Sequence, residues 1–304
     1  MRFEKALQIS ISNLQGFGRF YFTPKQLFYE FCRQIRSPLG METGTAAVLF
    51  GLSLVPAMLM RKNSLSLLAG SGLVLGGLAA FRNLPHTLSP PVSWENFAKL
   101  LAAYLRNSEI EGLLKIEQAV RFTDKFPGDL TLYGLPRVLV CESDEIAQVL
   151  RANQFHLQTP CAVLSLSEAE PLNEPVKKML ARAEQPEVFF LNDASLWAFS
   201  LLRTLRKRLE LPEEIPLRPL GLRPVHARRL HLFEAEKLLL PVDLSGFDNL
   251  SESEKEWLGH GNRAEVAAVP PVRLMRVLRR LILGLEIPPG EWQITLPPKT
   301  LGFM

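Results

Sequence analysis

The sequence is poor in the residues that build disulfide frameworks and transition-metal sites. It has three cysteines and five histidines in 304 residues. Cys32, Cys141 and Cys161 show no CxxC spacing, and an odd number of cysteines cannot pair completely. The histidines are scattered along the chain. These scarcities argue against a secreted disulfide scaffold and a zinc site of the His/Cys type, and they favour a reducing compartment.

The chain also lacks a strong excess of charge of either sign. Thirty-five basic and 31 acidic residues leave a net charge of +4, so any contact with nucleic acid must come from local clusters. A mean hydropathy of +0.08 argues against a polytopic transporter. The first 42 residues are polar and basic, so the first apolar run starts too late for a secretory signal peptide.

Two long apolar runs, Thr43–Met60 and Asn63–Phe81, stand out from this background. Only two basic residues separate them, and each run is close to the roughly 20 residues that cross a bilayer as a helix. Gly72 and Gly76 form a GxxxG pair, which lets two helices approach closely in lipid. The sequence therefore predicts a transmembrane helical hairpin over residues 43–81.

The short connection between the two runs places both flanks of the hairpin on one side of the membrane. The N-terminal flank is basic and Arg82 follows the second run, so the positive-inside bias predicts an inner-membrane protein with both termini in the cytoplasm. The alternative is a hairpin buried in a soluble core. The glycine-rich second run would weaken a helix there, at about 1 kcal/mol per glycine relative to alanine.

Four parts are expected along the chain: an N-terminal helical segment (1–42), the hairpin (43–81), a helical linker region (82–135) and an α/β domain with a basic C-terminal helix (136–304). In the first part, Thr23, Pro24 and Gln26 form a helix-start pattern. In the last part, short apolar runs alternate with helical patterns, which predicts a parallel sheet flanked by helices. The predicted strands are Arg137–Cys141, Cys161–Leu166 and Glu187–Leu191.

Acidic residues follow two of these strands. Glu142 comes directly after the first strand, and Asp193 comes two residues after the third. Functional groups collect at the carboxyl ends of parallel strands, and two carboxylates there can share one Mg²⁺ ion. The alternative is that Glu142 and Asp193 each cap the following helix, where an acid is favoured by the helix dipole.

The order of these motifs resembles the Toprim domain, and more closely the A subunit of topoisomerase VI and the related meiotic double-strand-break transesterase. The resemblance covers residues 137–240: a strand ending in glutamate (RVLVCESDE), a second strand (CAVLSL), and a third ending in an acid before a long helix. The segment LGLRP at 220–224 is similar to a Leu-Gly-Leu/Val-Arg-Pro segment of the family. A weaker similarity covers residues 19–36.

The resemblance implies a Toprim-like fold in which the family's cleavage chemistry is lost. The family binds Mg²⁺ through an acid-x-acid pair, but here Ser195 stands where the second acid should follow Asp193. Phe22 stands at the position of the nucleophilic tyrosine, so Tyr21 could form a phosphotyrosyl intermediate only after a shift of one residue. Glu142 and Asp193 are then a vestigial Mg²⁺ site.

Basic residues cluster on the predicted C-terminal helix Val272–Leu285. One side of it is apolar, and the other carries four arginines with no acid among them: Arg273, Arg276, Arg279 and Arg280. Such a face is either solvated, or in contact with DNA phosphates, or in contact with anionic lipid headgroups. Arg223 of LGLRP is a further candidate for phosphate contact. No aromatic residues are interleaved with the arginines, so this helix does not predict a stacking platform for single strands.

These patterns lead to a first functional hypothesis: a membrane-anchored, Toprim-like binding or assembly module that has lost DNA cleavage and whose ligand is double-stranded DNA. A second hypothesis is a Mg²⁺-dependent nuclease or topoisomerase-like enzyme that uses Glu142, Asp193 and Asp144, with Tyr21 as nucleophile. A third is a membrane-associated scaffold that binds only protein, either a partner or a second copy of the chain.

Overall fold

The computed structural model describes residues 3–16, 20–36, 89–114, 135–235, 237, 247 and 250–285. The predicted transmembrane hairpin at 43–81, with Gly72 and Gly76, lies outside these ranges. Within them, no helix is both long enough and apolar enough to cross a membrane.

A four-stranded parallel sheet forms the centre of the α/β domain. Its strands are β1 (Arg137–Cys141), β2 (Cys161–Ser165), β3 (Glu187–Leu191) and β4 (Leu217–Pro219), in the order β2-β1-β3-β4. The predicted α/β class with a parallel sheet is confirmed, and so are the first three strands. The sequence did not predict β4, because it is three residues long, follows one proline and ends at another.

The strands are apolar at nearly every position because both faces of the sheet are covered. Leu139 and Cys141 of β1 belong to one buried cluster, while Val138 and Val140 belong to a second cluster on the opposite face. Parallel sheets covered by helices on both faces read as continuous apolar runs rather than as alternating patterns. The burial of Cys141 also agrees with its position in such a run.

The helices of the described ranges are named here in chain order. They are α1 (Phe3–Gln15), α2 (24–36), α3 (Trp94–Leu105), α4 (Asp144–Ala152), α5 (Phe155–Gln158), α6 (Leu166–Ala169), α7 (Glu174–Arg182), α8 (Leu196–Arg208), α9 (Pro224–Arg229), α10 (Glu252–Gly259) and α11 (Pro271–Ile282). A 3₁₀ turn, Val266–Ala268, precedes α11. The predicted start of α2 is confirmed by a reciprocal capping box, in which Thr23 and Gln26 each bond the other's backbone N–H at 3.1 Å.

One helix prediction is wrong where the structure describes it. The sequence pattern of residues 109–122 predicts a second helix of the linker region, but residues 109–114 form turns and a short bridge to Phe22, and residues 115–122 lie outside the described ranges. The Phe22 N–H donates to the Gly112 carbonyl, and the Leu114 N–H donates to the Phe22 carbonyl, both at 2.9 Å. Gly112 has a φ of +81°, a conformation that favours glycine and ends a helix. Residues 112–114 therefore pair with Phe22 instead of forming a helix.

The N-terminal helices share a core with the sheet. One buried cluster contains Phe28 and Phe31 of α2, Phe97 of α3, Phe189 of β3 and Leu274 of α11. The rings of Phe31 and Phe97 lie 5.2 Å apart, and those of Phe28 and Phe97 lie 5.4 Å apart. The described parts of segments 1–42 and 82–135 thus pack onto the same core as the α/β domain.

The two ends of the segment between α2 and α3 meet at one place on this core. The Arg36 guanidinium donates to the Ser89 carbonyl at 3.3 Å. Nearby, the rings of Phe28 and Trp94 pack edge to face at 5.5 Å. The two residues that border segment 37–88 are therefore in contact with each other.

Candidate functional site

The two predicted acids lie at the point where the sheet changes direction. The chain goes from β1 to β2 on one side and then returns to place β3 on the other side of β1. Ligands of open α/β sheets bind at the carboxyl ends of strands at such a switch point. Glu142 follows β1 and Asp193 follows β3, and the Asp193 N–H donates to Glu142 Oε2 at 2.8 Å. The structure thus brings these two predicted site residues together.

Neither acid caps a helix, so the alternative in which Glu142 and Asp193 are helix caps is wrong. Ser143 stands at the N-cap of α4, and the Ser195 hydroxyl caps α8 by accepting from the Ala198 N–H at 3.1 Å. Asp193 instead accepts the Val266 N–H at 2.7 Å and so ties β3 to the 3₁₀ turn. Ser195, which stands where the Toprim family has its second acid, therefore acts as the N-cap of α8.

A third acid, Glu265, joins this cluster and was not predicted. It is 6% exposed and accepts hydrogen bonds from Lys25 at 2.9 Å, Tyr29 at 3.1 Å and Arg263 at 2.6 Å. Two of these partners lie on α2, more than 200 positions earlier in the chain. No local pattern could identify Glu265, because its environment is created by long-range packing.

Burial and neighbouring negative charge favour protonation of Glu142 and Asp193. Burial raises the pKa of the Glu142 carboxyl, and the charge of Glu265 adds to this, while the Asp193 N–H and Arg263 act in the opposite direction. The pKa of Asp193 rises well above its ordinary value, because of burial and the neighbouring charges of Glu142 and Glu265. Burial and Glu265 also raise the pKa of Tyr29, which keeps its hydroxyl protonated.

A cavity of about 120 Å³ opens beside the two acids. Its lining residues are Glu142, Asp193, Ser195, Leu196, Trp197, Gly261, Asn262 and Arg263. Trp197 is 50% exposed on its rim. The Asn262 Oδ1 atom is buried and has no hydrogen-bond partner in the part of the chain that the structure describes. Neither Trp197 nor the turn at 261–263 was a predicted site residue.

The structure separates the two residues proposed for the nucleophile position. Phe22 is fully buried in the core, while Tyr21 is exposed. The backbone N–H and carbonyl of Tyr21 both bond the Asn153 side-chain amide at 2.9 Å. Asn153 follows the last turn of α4, a helix roughly 13 Å long that begins beside Glu142. The Tyr21 backbone is thus anchored at the far end of α4, whereas the hydroxyl of Tyr29 reaches the acid cluster through its bond to Glu265.

The donor set for a metal consists of two carboxylates. Among the described residues, no group of three histidine, cysteine or acidic side chains has an arrangement that could hold a metal ion. Glu142 and Asp193 could hold one Mg²⁺ ion with water as its remaining ligands. Each of these carboxylates, however, already accepts a backbone N–H. Asp144 is exposed on α4 and accepts the Ser167 hydroxyl at 2.7 Å.

The arginines of α11 lie on the side away from the core. The helix begins and ends close to its predicted bounds, and its apolar residues, such as Leu274 and Leu278, are fully buried. Arg276 and Arg279 are exposed, while Arg273 and Arg280 are partly exposed. No acid occurs within the helix, so its outward face is a basic stripe.

Arg223 has a structural partner. Its guanidinium binds the buried Glu254 carboxylate through two hydrogen bonds, of 3.1 and 2.6 Å. Burial alone would raise the pKa of Glu254, but the bonds from Arg223 and Ser251 outweigh it and lower that pKa. Arg223 therefore joins the start of α9 to α10 in this structure.

The rest of the LGLRP segment extends the sheet edge. The Leu220 N–H donates to the Phe190 carbonyl at 2.7 Å, and the Leu222 N–H donates to the Asn192 carbonyl at 2.8 Å. A Cβ atom on Gly221 would lie 2.0 Å from Asn192 Oδ1, so only glycine fits between them. The glycine of the segment is explained by this close approach.

Comparison with known proteins gives no match among family models, curated proteins or solved structures.

Proposed function

We propose that this chain is a Toprim-like module that binds double-stranded DNA without cleaving it and is held at a membrane by residues 43–81. The observation that carries the DNA-binding part is the basic stripe of α11, defined by Arg273, Arg276, Arg279 and Arg280. A regular helix presents side chains three and four residues apart on one face, as these are. A row of cations on the outward face of one helix is suited to phosphate contact.

The absence of cleavage is inferred from the residues at the positions that the family uses for its nucleophile and its second acid. Phe22 has no hydroxyl and is buried, Tyr21 is anchored at the far end of α4, and Ser195 caps a helix where a metal-binding acid would be needed. Covalent catalysis requires a nucleophile within hydrogen-bond reach of its activating group. These residues favour binding over chemistry, and they disfavour the nuclease hypothesis.

A vestigial Mg²⁺ site belongs to the same proposal. Glu142 and Asp193 would hold one ion, and the ion would supply positive charge that neutralises the converging carboxyls. Two carboxylates that also bind backbone N–H groups make a weak site. We therefore assign the ion a stabilising role rather than a role in cleavage.

The membrane part of the proposal is supported by the path of the chain. Residues 37–88 start and end at the Arg36–Ser89 contact, as an inserted hairpin must. The two apolar runs of this segment have the length of membrane helices. An insertion with adjacent ends places α2 and α3 on the same side of the bilayer, as the sequence also predicts.

The test is a comparison of duplex binding by the detergent-solubilised full chain and by a variant with Arg276→Gln and Arg279→Gln. The matched control is Lys99→Gln, which removes an exposed cation from α3. Fluorescence anisotropy with a labelled blunt duplex, read across a salt series, should show weaker binding and a shallower salt dependence for the arginine variant. The slope should fall by about 2, because each lost phosphate contact contributes about 0.9.

Equal binding by the arginine variant and the Lys99→Gln control would overturn the assignment of the basic stripe. A wild-type chain without salt-sensitive duplex binding would overturn the DNA-binding function itself.

A further inference from the structure

We propose that the cavity beside the acid pair receives one unpaired nucleobase, which stacks on Trp197 while its edge enters the cavity. This inference rests on the proposed DNA binding and deepens it. It specifies the preferred ligand as a duplex that carries an unpaired nucleotide.

The exposure of Trp197 is the first observation. Tryptophan is highly buried on average, but this side chain is half exposed although its neighbours Leu196 and Ala198 are buried. The Trp197 side chain is therefore not part of the buried core. It lies at the start of α8, on the rim of the cavity. An exposed indole stacks on any base, with about 1–3 kcal/mol of binding free energy per base.

The lining of the cavity suits the edge of a base. Glu142 and Asp193 contribute two carboxyl groups to this lining, and Arg263 contributes a guanidinium. Carboxyl groups accept hydrogen bonds from the edge of a heterocycle when ionised and can donate to it when protonated, and a guanidinium donates to ring nitrogens and carbonyl oxygens.

The size of the cavity limits how much of a base can enter it. Since a cavity of about 150 Å³ holds one benzene molecule, the volume of about 120 Å³ admits the edge of one ring and leaves the rest over Trp197.

A base inside a duplex cannot reach this position. Its faces are stacked on neighbouring bases, so it must be unpaired or turned out of the helix before it can stack on a protein side chain. The basic stripe of α11 would hold the duplex, and the cavity would select an adjacent unpaired nucleotide.

The experiment compares three labelled ligands on the detergent-solubilised full chain: a blunt duplex, the same duplex with a four-cytosine tail, and the same duplex with an abasic tail of equal charge. The variants are Trp197→Ala, Trp197→Phe and the control Trp94→Ala, which removes a tryptophan on α3 that is 38% exposed. We expect the cytosine tail to tighten wild-type binding about tenfold, since one stacked base is worth about 1–3 kcal/mol. Trp197→Ala should lose this gain, whereas Trp197→Phe and Trp94→Ala should keep most of it.

Three results would overturn the inference: no gain from the cytosine tail, an equal gain from the abasic tail, or a gain that survives in Trp197→Ala. Failure of the proposed function is a separate result, namely no binding of the blunt duplex by the wild-type chain. In that case a cytosine single strand is the probe, and loss of its binding in Trp197→Ala alone would support the base site, while equal binding would overturn it.

Discussion

Asp193 illustrates how single residues define this site. Its carboxyl group lies beside those of Glu142 and Glu265, and its pKa is well above the ordinary value because of burial and these charges. A carboxyl group whose pKa is raised on folding stabilises the protein at low pH, where it is protonated. That contribution is lost as the pH rises from the ordinary pKa of aspartate through the folded-state value.

We therefore predict that Asp193→Asn stabilises the protein increasingly as the pH rises. Asparagine keeps an oxygen that can accept the Val266 N–H but cannot ionise. Thermal unfolding of wild type and variant between pH 5 and pH 8 should show a difference in Tm that grows with pH in favour of the variant. Asp144→Asn, at an exposed position on α4, is the control. A difference in Tm that is independent of pH would contradict the charge repulsion inferred here.

A second residue-scale prediction concerns Gly221. Its replacement by alanine should lower the free energy of unfolding by about 1–3 kcal/mol, because the new Cβ would overlap the Asn192 side chain. Denaturant unfolding measures this change. Adding Asn192→Ala makes room for the Cβ, so the double variant should be destabilised by less than the sum of the two single variants. Strictly additive effects would show that the close approach is not the reason for this glycine.

Single residues also show what the sequence could and could not predict. Glu142 and Asp193 were identified because each follows an apolar strand, which is a local pattern. Glu265 was missed because its partners Lys25 and Tyr29 lie on a distant helix. Trp197 was missed because its exposure depends on how α8 packs, and a tryptophan in an amphipathic helix is usually buried.

Among the helices, the start of α9 is linked to α10 by a buried ion pair. Glu254 is almost completely buried, and Arg223 is its bidentate partner. Removing one member of such a pair leaves an uncompensated buried charge, at a cost of about 3–5 kcal/mol. The pair therefore fixes the arrangement of α9 and α10. This role does not depend on whether Arg223 also contacts phosphate.

We predict that Arg223→Ala lowers the free energy of unfolding by about 3 kcal/mol at neutral pH. The loss should shrink as the pH falls through the ordinary pKa of glutamate, because the stabilisation that the lowered pKa of Glu254 gives the wild type is lost there. Denaturant unfolding at pH 7 and pH 4 measures both effects, with Arg229→Ala, an exposed arginine of α9, as the control. Unchanged stability together with weaker DNA binding would instead support the phosphate contact expected from the sequence.

The elements that the sequence predicted correctly are those stabilised by strong local signals. The strands β1, β2 and β3 are short apolar runs, and α2 begins at a capping box. Prolines obscured β4 and α9, since proline usually interrupts strands and helices, although it is favourable at a helix start. The turn at 109–114 was missed because its pairing with Phe22 is a long-range contact.

At the scale of the whole molecule, Arg36 and Ser89, which border residues 37–88 on either side, are joined by a hydrogen bond. We predict that replacing this segment by a four-residue Gly-Ser linker leaves the core folded, because the described core closes without it. The variant should keep the Tm of the full chain and should no longer sediment with membranes after expression in bacteria, whereas the full chain should. Loss of cooperative unfolding, or unchanged sedimentation, would contradict the insertion.

The central claim, DNA binding without cleavage, is tested most directly by incubating the detergent-solubilised full chain with supercoiled plasmid across a salt series, with and without Mg²⁺. Plasmid retardation and plasmid nicking are read on the same gels. We predict retardation that weakens as salt rises, with the plasmid remaining supercoiled throughout. Mg²⁺-dependent nicking that Glu142→Gln abolishes would contradict the claim, and so would an unretarded plasmid at every salt concentration.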